Sequence, residues 1–498
     1  MSEWPDPRVY GSRTAVVDAQ GSHTHDEWNG AASRVASALL RGRADLAEAR
    51  IAFLVEPGAR WVAVQWGIWR AGGIAVPLAL SHPPPELAYV LDDASVDAVV
   101  SEPQLADRLS GPASERAIPL LDVETLLACE PVDLPLIESD RRAMILYTSG
   151  TTSRPKGAVT THANIAAQVA SLVKAWAWSA DDRILCVLPL HHVHGIVNVV
   201  ACALSSGACC VMHARFDAER VWAEFAKGEL TLFMAVPTIY ARLIAAWEAA
   251  GPAVRERWSA GCRAMRLMVS GSAALPVSTL ERWRHISGHT LLERYGMTEI
   301  GMALSNPLAG QRRPGFVGSP LPGVEARIVD DAGHEVSPGT PGEIEVRGPS
   351  VFREYWNRPE ETRAAFRDGW FRTGDIAVIE DGAWRILGRS SVDVLKVGGH
   401  KVSALEIEEA LRAHPDVVEC AVVGVDDEEW GQRVCAAIVS HGGSDAHALR
   451  EWLLLRLGAY KVPARFCFVE ELPRNAMGKV LKAEVGGYFA EGGGTWAG

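Results

Sequence analysis

The chain has 498 residues, which predicts two to four domains, and 48% of them are hydrophobic, enough to bury a large core. Its net charge of −12 disfavours binding to a nucleic-acid backbone, although local loops could still hold small anions. The nine scattered cysteines show no metal-site spacing and indicate reduced thiols. The acidic residues near the start and the lack of a run of about 18 apolar residues predict a cytoplasmic protein with no membrane span.

Strand and helix patterns alternate along the first part of the chain. Short apolar runs predict strands at 50–56, 71–78, 143–147, 183–188, 231–236 and 265–269. Amphipathic patterns predict helices at 26–46, 60–71, 162–176, 216–227, 238–249 and 276–287. Such alternation is typical of βαβ units and predicts an α/β fold with largely parallel sheets.

The character of the sequence changes twice in its second half. After about residue 312, glycine and proline become frequent and short β-like pieces predict a small β-rich subdomain. Beyond Gly388 and Arg389, a hairpin pattern, two helix patterns and further strands predict a compact α+β unit. We therefore expect a large N-terminal domain at 1–387 and a small C-terminal domain at 388–498.

The segment Tyr147–Gly157, YTSGTTSRPKG, follows an apolar strand and is rich in glycine and hydroxylated residues. Its backbone N–H groups and hydroxyls can converge on an anion, and Lys156 adds a positive charge. It is not a Walker A loop, because Gly157 follows the lysine where Ser or Thr would be needed. A polar surface turn is the alternative interpretation of such a loop. The segment predicts a phosphate site.

The loop string resembles the signature of the acyl-adenylate-forming superfamily, which includes acyl-CoA synthetases, luciferases and peptide-synthetase adenylation domains. Further strings resemble that family in the same order: LPLHHVHG at 188–195, MVSGSAAL at 268–275, ERYGMTE at 293–299, RTGD at 372–375, LGRSSVD at 387–393 and PRNAMGK at 473–479. The resemblance implies ATP, Mg²⁺ and CoA as co-substrate, an acyl-AMP intermediate, and a C-terminal domain that rotates between two half-reactions.

The resemblance also implies roles for individual residues. The implied catalytic residues are Lys479, Thr298 and Glu299, with Thr151 and Glu299 at the metal. The implied ATP site comprises Thr148, Ser149, Gly150, Thr151, Thr152, Lys156, Gly271, Ser272, Ala273, Glu293, Arg294, Tyr295, Gly296, Met297, Thr298, Asp375, Arg389 and Lys479. The implied CoA-binding residues are Gly398, Gly399, His400 and Lys401, and the implied hinge is Ser391. Two positions depart from the family pattern: Ser153, where glycine is usual, and Ser391, where Asp or Lys is frequent.

The nature of the acid depends mainly on Arg294, at a position that varies across the superfamily and faces the acyl site. The rigid fork of an arginine could pair the second carboxylate of a short diacid. The full strings, with VRGPSVFREYWNRPEET and KVSALEIE, resemble the malonyl-CoA and methylmalonyl-CoA synthetase branch called acyl-CoA synthetase family member three. That resemblance places His194, Ser270 and Arg294 in the acid pocket. Alternatively, Arg294 forms a structural ion pair with a nearby Asp or Glu.

Several readings stay open from the sequence. Malonate and methylmalonate differ by one methyl group, too little to separate by sequence. The enzyme could activate another short or medium carboxylic acid, or load a carrier protein instead of CoA. A nucleotide-binding scaffold without activity is disfavoured, because the charged residues expected for catalysis are all present. The expected partners are small molecules, with neither nucleic acid nor membrane, in a monomer or small homo-oligomer.

Overall fold

The structure is a computed structural model that describes residues 9–148, 155–397, 400–427, 430–443, 445–474, 480–490 and 495–496. Within these ranges, no helix is long and apolar enough to cross a membrane. All nine cysteines are free, and seven of them are buried, as expected for small apolar side chains.

Twenty-seven strands are present among the described residues. The first fourteen are β1 (Thr14–Asp18), β2 (Gly21–Thr24), β3 (Arg50–Leu54), β4 (Ile74–Pro77), β5 (Ala98–Ser101), β6 (Leu120–Asp122), β7 (Arg142–Thr148), β8 (Lys156–Thr161), β9 (Arg183–Cys186), β10 (Cys209–Met212), β11 (Leu232–Ala235), β12 (Leu267–Ser270), β13 (Leu292–Met297) and β14 (Gly301–Ser305). The others are β15 (Ser319–Pro320), β16 (Glu325–Val329), β17 (Gly342–Arg347), β18 (Glu354–Tyr355), β19 (Phe366–Arg367), β20 (Trp370–Glu380), β21 (Ala383–Arg389), β22 (Val394–Val397), β23 (His400–Ser403), β24 (Val417–Asp427), β25 (Gly431–Ser440), β26 (Arg465–Phe468) and β27 (Thr495–Trp496).

The helices occupy the connections between these strands. They are α1 (His25–Leu40), α2 (Ala59–Arg70), α3 (Pro84–Asp93), α4 (Asp107–Ser114), α5 (Val123–Leu127), α6 (His162–Ala175), α7 (Cys202–Ser206), α8 (Ala218–Phe225), α9 (Pro237–Ala249), α10 (Pro252–Arg263), α11 (Val277–Ser287), α12 (Pro359–Ala364), α13 (Ala404–Arg412), α14 (Ala446–Leu454) and α15 (Lys482–Gly487). A π-helix spans His194–Ala201, and single 3₁₀ turns lie at Pro103–Leu105 and Ala459–Lys461.

Two large sheets form the N-terminal domain. One has seven strands in the order β18-β8-β7-β4-β3-β5-β6, and the other has nine in the order β15-β14-β13-β12-β11-β9-β10-β1-β2. Their central strands pair in parallel, as the alternation of strands and helices predicts. A main core cluster, which includes Trp61, Trp69, Trp176 and Trp222, contains buried side chains from both sheets and their helices.

Two smaller sheets complete the fold. Strands β16, β17, β20 and β19 form an antiparallel sheet in which β21 also pairs with β20, matching the predicted β-rich subdomain. Strands β23, β22, β25, β26 and β27, with β24 beside β25, form the sheet of the C-terminal α+β unit. Strand β21 continues through 387/388 and ends at Arg389, and the domain boundary there stays a prediction.

The predicted helices and strands are present, with shifts at their ends. Helix α1 begins with a capping box, in which the Thr24 hydroxyl accepts from the Glu27 amide at 3.2 Å. It ends at Leu40 rather than residue 46, because Arg41 adopts left-handed dihedral angles (φ 47°, ψ 43°) that stop a helix. No sequence pattern indicates the π-helix, which directly follows the LPLHHV segment.

Candidate functional site

The predicted acid pocket lies at the carboxyl ends of two central strands. Strands β12 and β13 pair in parallel, with Ser270 opposite Glu293, so the segments after them open on one edge of the sheet. The π-helix supplies His194 from a third direction. Its Nδ1 lies 3.3 Å from the Ser272 hydroxyl, just beyond the end of β12. Residues far apart in the chain therefore meet at this edge.

Arg294 is a buried cation that has no acidic partner in the part of the chain that the structure describes. Its side chain lies on β13, the residue is 3% exposed, and Nη2 donates to the Ser272 hydroxyl at 3.3 Å. Among the described residues, Nε and Nη1 have no hydrogen-bond partner and the guanidinium forms no ion pair with a carboxylate. Burial lowers the pKa of Arg294 to about 9, which marks an uncompensated charge. The structural ion pair considered for this arginine is not formed within the described part of the chain.

The other predicted acid-pocket residues are also buried and short of partners. His194 Nε2 and the Ser270 hydroxyl have no hydrogen-bond partner among the described residues. Burial, followed by the charge of Arg294, holds the pKa of His194 well below its usual value, so the imidazole is neutral. Close packing requires glycine at position 271, because a Cβ there would lie 2.5 Å from Arg294 Cζ. The cluster can accept a carboxylate, which would satisfy several of these donors together.

A second cluster joins three residues assigned to the nucleotide. The Tyr295 hydroxyl donates to Asp375 Oδ2 at 2.6 Å, and Arg389 Nε donates to Asp375 Oδ1 at 3.0 Å. Asp375 and Arg389 face each other across β20 and β21, which fixes their separation. Burial, and then the charge of Asp375, raises the pKa of Tyr295 far above its usual value. Arg389 and the Tyr295 hydroxyl therefore hold the Asp375 carboxylate in place.

A third cluster lies around Glu299, the residue expected to help hold Mg²⁺. Glu299 is buried, and Tyr355 donates its hydroxyl to Oε1 at 2.8 Å. Burial raises the pKa of Glu299, so a bound cation would favour the charged form. Lys156 Nζ lies 5.3 Å from the centre of the Tyr355 ring and forms an ion pair with Glu361. A buried carboxylate beside the phosphate-loop lysine suits a hard cation bound with phosphates.

Tyr355 and Glu361 were not predicted as functional residues. Both lie in FREYWNRPEET, a string that the sequence marked only by its resemblance to a family. No local pattern shows that a two-residue strand there pairs with β8 and carries its tyrosine to Glu299. The position of these two residues beside Glu299 and Lys156 is known only from contacts between distant parts of the chain.

The structure locates most of the remaining predicted residues individually. Thr148 ends β7, where its hydroxyl lies 3.4 Å from the Lys156 carbonyl oxygen. Glu293 points away from Arg294 and accepts from the Gly315 amide at 3.1 Å, and its burial raises its pKa to about 8. Ser391 is exposed, in the turn between β21 and β22. His400 opens β23, with its ring 4.8 Å from that of Tyr460.

The other predicted residues divide into two sets. Gly271, Ser272 and Ala273 follow β12, Gly296 and Met297 end β13, and Thr298 lies in the following turn. Seven predicted site residues lie outside the described residues. So do Ser153, which departs from the family pattern, and the side chain of Lys401. The seven are Ser149, Gly150, Thr151, Thr152, Gly398, Gly399 and Lys479.

Comparison with models of protein families identifies the family of this chain. The model named AMP-binding enzyme matches residues 5–356, and the model named AMP-binding enzyme C-terminal domain matches residues 406–479. The chain belongs to the AMP-binding enzyme family. The predicted superfamily is confirmed, because the first match alone covers more than half of the sequence.

Individual members of the AMP-binding enzyme family extend this result. The mitochondrial malonate–CoA ligase ACSF3 of Mus musculus is 49% identical over 516 residues, which cover 96% of this chain and 88% of that protein. A malonate–CoA ligase of Arabidopsis thaliana is 41% identical over 89% of this chain and 78% of its own length. Among solved structures, ATP-bound MatB from Rhodopseudomonas palustris is 34% identical, with a TM-score of 0.89 over 97% of this chain and 98% of that one. The predicted fold class is therefore confirmed.

Proposed function

We propose that this AMP-binding enzyme is a malonate–CoA ligase that also has methylmalonate as a reasonable substrate. It is an ATP-dependent, AMP-forming acid–thiol ligase that uses Mg²⁺ and takes CoA as co-substrate. The mouse and Arabidopsis relatives are both named malonate–CoA ligases, and the former is nearly half identical to this chain over almost its full length. The choice of a diacid rests on one observation: the guanidinium of Arg294 is buried and has no carboxylate partner among the described residues.

Two displacements make up the reaction. First, an oxygen of the acid's carboxylate attacks the α-phosphorus of ATP, the bond to the bridging oxygen breaks, and pyrophosphate leaves. Next, the sulfur of the CoA thiol attacks the acyl carbon, its proton is lost, and AMP leaves. Both steps need cations and N–H donors around the phosphates rather than a covalent nucleophile on the protein.

The proposed roles belong to residues of the three clusters and to further residues that the family resemblance implies. Lys156 and Thr298 bind phosphate oxygens, and Lys479 contacts the carboxylate and the α-phosphate. Glu299, with Thr151, would hold Mg²⁺, which when bound offsets negative charge on the triphosphate. Asp375 is positioned by Tyr295 and Arg389 to accept the ribose hydroxyls. The remaining proposed ATP contacts are Thr148, Ser149, Gly150, Thr152, Gly271, Ser272, Ala273, Glu293, Gly296 and Met297.

The second half-reaction is assigned to the C-terminal domain, 388–498. We propose that this domain rotates about Ser391 and brings a thiol channel at Gly398, Gly399, His400 and Lys401 to the acyl-AMP. Glycine suits a narrow channel, because backbone without side chains can pass close to a thin pantetheine arm. The exposed Ser391 lies where β21 ends and β22 begins, between the two units.

The malonate pocket is formed by Arg294, His194 and Ser270, with Ser272 between the first two. Burying an arginine without a counter-charge is strongly unfavourable, and an arriving carboxylate reverses that penalty. A monocarboxylate offers no charge to this end of the pocket once its own carboxylate is at the α-phosphate. Selectivity for a diacid therefore follows from the burial of the guanidinium and its lack of an acidic neighbour.

A pyrophosphate-release assay across malonate, methylmalonate, succinate, acetate, propionate, octanoate and benzoate tests this function. We expect the highest kcat/KM for malonate or methylmalonate, and a monocarboxylate that exceeds both would overturn the diacid assignment. Arg294→Ala should lose about 100-fold or more in kcat/KM for malonate, as for the removal of one partner of a buried ion pair. Its residual propionate turnover should change little.

A paired arginine provides the matched control. Arg327 lies on β16 and forms an ion pair with the fully buried Glu345 at 2.7 Å. Arg327→Ala should lower the free energy of unfolding and leave the ratio of malonate to propionate turnover unchanged. Arg294→Ala should leave the ligand-free protein at least as stable as the wild type, because it removes an unpaired buried charge. Equal losses on both acids in Arg294→Ala would show a structural arginine.

The thiol acceptor has one alternative, a carrier protein loaded by a stand-alone enzyme. Mixing preformed malonyl-AMP with the enzyme and free CoA distinguishes the two. Formation of malonyl-CoA at the rate of turnover supports the ligase, and its absence favours the carrier protein.

We propose the cytoplasm as the compartment, as a monomer or small homo-oligomer that has only small-molecule substrates as partners. Nine free cysteines fit a reducing compartment. The mouse relative is named mitochondrial, so both compartments need a direct comparison. Fractionation of cells that express the full chain checks this, and enrichment with mitochondria would overturn it.

A further inference from the structure

The π-helix His194–Ala201 contains a second polar residue that no step above uses. Asn198 is 0% exposed, and neither its amide nitrogen nor its carbonyl oxygen has a hydrogen-bond partner among the described residues. All other residues of this helix except His194 are apolar or glycine. Buried carboxamides are nearly always hydrogen-bonded, so an unpartnered one inside an apolar helix calls for an explanation.

The position of Asn198 relates it to the acid pocket. It follows His194 by four residues, which is slightly less than one turn of a π-helix, so the two residues lie on the same side of this helix. His194 directs Nδ1 at Ser272, which also receives the Arg294 guanidinium. We infer that Asn198 shares the side of the helix on which His194 meets Ser272. Wider turns of the π type occur frequently at functional sites.

Four buried polar groups without complete hydrogen bonding lie on β12, β13 and the π-helix. They are the guanidinium of Arg294, the imidazole Nε2 of His194, the Ser270 hydroxyl and the Asn198 carboxamide. A dicarboxylic acid offers four oxygens that accept hydrogen bonds, and only one carboxylate is needed at the α-phosphate. The other can accept from the arginine and from an amide N–H donor at the same time.

We propose that Asn198 is a further specificity-determining residue, whose amide nitrogen donates to the non-reacting carboxylate of the diacid beside Arg294. The assignment rests on the proposed malonate–CoA ligase function. The neutral amide of Asn198 orients the carboxylate that the charge of Arg294 attracts, because an amide hydrogen bond requires the carboxylate in one orientation. The reacting carboxylate would thereby be aligned with the α-phosphate.

Two substitutions of Asn198 test this proposal: one removes the hydrogen-bond donor, and the other adds a negative charge. Asn198→Leu keeps a similar volume and removes the donor, so kcat/KM for malonate should fall about 10- to 100-fold, the loss expected for a hydrogen bond to a charged group. Propionate turnover should stay within about two-fold of wild type, because it has no second carboxylate to be held. Asn198→Asp keeps the shape and places a negative charge where the diacid's carboxylate would lie. It should reverse the preference in favour of propionate.

Gln65 provides the matched control. It is another fully buried carboxamide without a described partner, but it lies on α2, outside the three clusters of the site. Gln65→Leu should leave the malonate-to-propionate ratio unchanged. The reversal in Asn198→Asp cannot come from poor folding, since misfolding lowers turnover of both acids together.

The outcomes separate this proposal from the function on which it rests. A wild-type preference for malonate that survives unchanged in Asn198→Leu, while Arg294→Ala abolishes it, would overturn the role of Asn198 alone. A wild-type enzyme that prefers a monocarboxylate would overturn both. A selective loss of malonate turnover in Asn198→Leu, with reversal in Asn198→Asp, supports the proposal.

Discussion

Glu293 and Arg294 are neighbours on β13, yet their side chains meet different surroundings. Adjacent residues of a strand point to opposite faces, so the two charges do not neutralise each other. Glu293 accepts from the Gly315 amide at 3.1 Å, and burial raises its pKa to about 8. Arg294 faces the acid pocket, where burial lowers its pKa to about 9. Alternation along one strand thus separates the carboxyl group of Glu293 from the candidate substrate-binding cation of Arg294.

The raised pKa of Glu293 predicts a pH-dependent stability. The folded protein retains this proton from the ordinary pKa of 4.5 up to about 8, whereas the unfolded chain releases it earlier. The stabilisation is full below the lower value and is lost as the pH rises through the upper one. Denaturant unfolding from pH 5 to 9 should show a slope of up to about 1.4 kcal/mol per pH unit from this group. In Glu293→Gln that component should vanish.

The control for this measurement is Glu360→Gln, at an exposed glutamate of α12. Its pH profile should match that of the wild type. If Glu293→Gln retained the wild-type profile, the pH dependence would arise elsewhere in the protein.

At the scale of elements, the short strand β18 links distant parts of the nucleotide site. Its two residues pair with β8, Tyr355 opposite Ala158, so the tyrosine lies beside Lys156 at the start of β8. Its hydroxyl reaches Glu299, which follows β13 of the other large sheet. Tyr355 therefore fixes the candidate metal-binding carboxylate relative to the phosphate-loop lysine. Helix α12 contributes Glu361, the ion-pair partner of that lysine.

Removal of this hydroxyl should weaken the use of magnesium. Tyr355→Phe keeps the ring near Lys156 and deletes the donor to Glu299, so the carboxylate loses its fixed orientation. We expect the Mg²⁺ concentration for half-maximal pyrophosphate release to rise about 10-fold, the scale seen for partners of metal ligands. The KM for malonate should change little.

The control is Tyr240→Phe, which also loses a buried hydroxyl. Tyr240 donates to the Val269 carbonyl oxygen at 2.9 Å, away from Glu299. It should lower stability without any change in the Mg²⁺ requirement. An unchanged requirement in Tyr355→Phe would show that Glu299 needs no support from this tyrosine.

At the scale of the whole molecule, the two units meet at a helix end. Glu409 of α13 accepts from the Val277 amide, the first residue of α11, at 3.0 Å. Acidic groups stabilise the free N–H groups at the start of a helix. Within the C-terminal unit, Lys482 contacts Asp393 at 2.6 Å and Glu408 at 2.7 Å, which ties the turn containing Ser391 to α13. A rotating domain would carry this ion cluster with it but would have to release Glu409.

Hydrogen exchange can follow this contact. Glu409→Ala should leave the Val277 amide without its acceptor, so exchange in the peptide covering 274–280 should become faster. Glu451→Ala, at an exposed residue of α14, is the control and should leave that peptide unchanged. Unaltered exchange in Glu409→Ala would show that the contact does not hold the two units together.

Much of the fold could be predicted because its signals are local. Apolar runs, amphipathic periods and caps identified the βαβ order, since these depend on neighbours within one or two turns. The site was harder, and its clusters show why. The π-helix carries no local signature, and whether Arg294 has an acidic partner depends on every residue that packs around it. Tyr355 and Glu361 became visible only through contacts between β18, β8 and the end of β13.

The sequence by itself determined the family and the order of the elements. It also predicts the phosphate loop, because glycine, hydroxyl and lysine side chains at fixed spacing express that chemistry locally. The tertiary structure decided that the guanidinium of Arg294 has no carboxylate neighbour among the described residues and that the carboxamide of Asn198 is buried without a hydrogen-bond partner among them. Burial and pairing belong to three-dimensional neighbours rather than to spacing along the chain. For this reason the sequence could propose a diacid through Arg294, but its support came from the fold that brings the strand, the loop and the π-helix together.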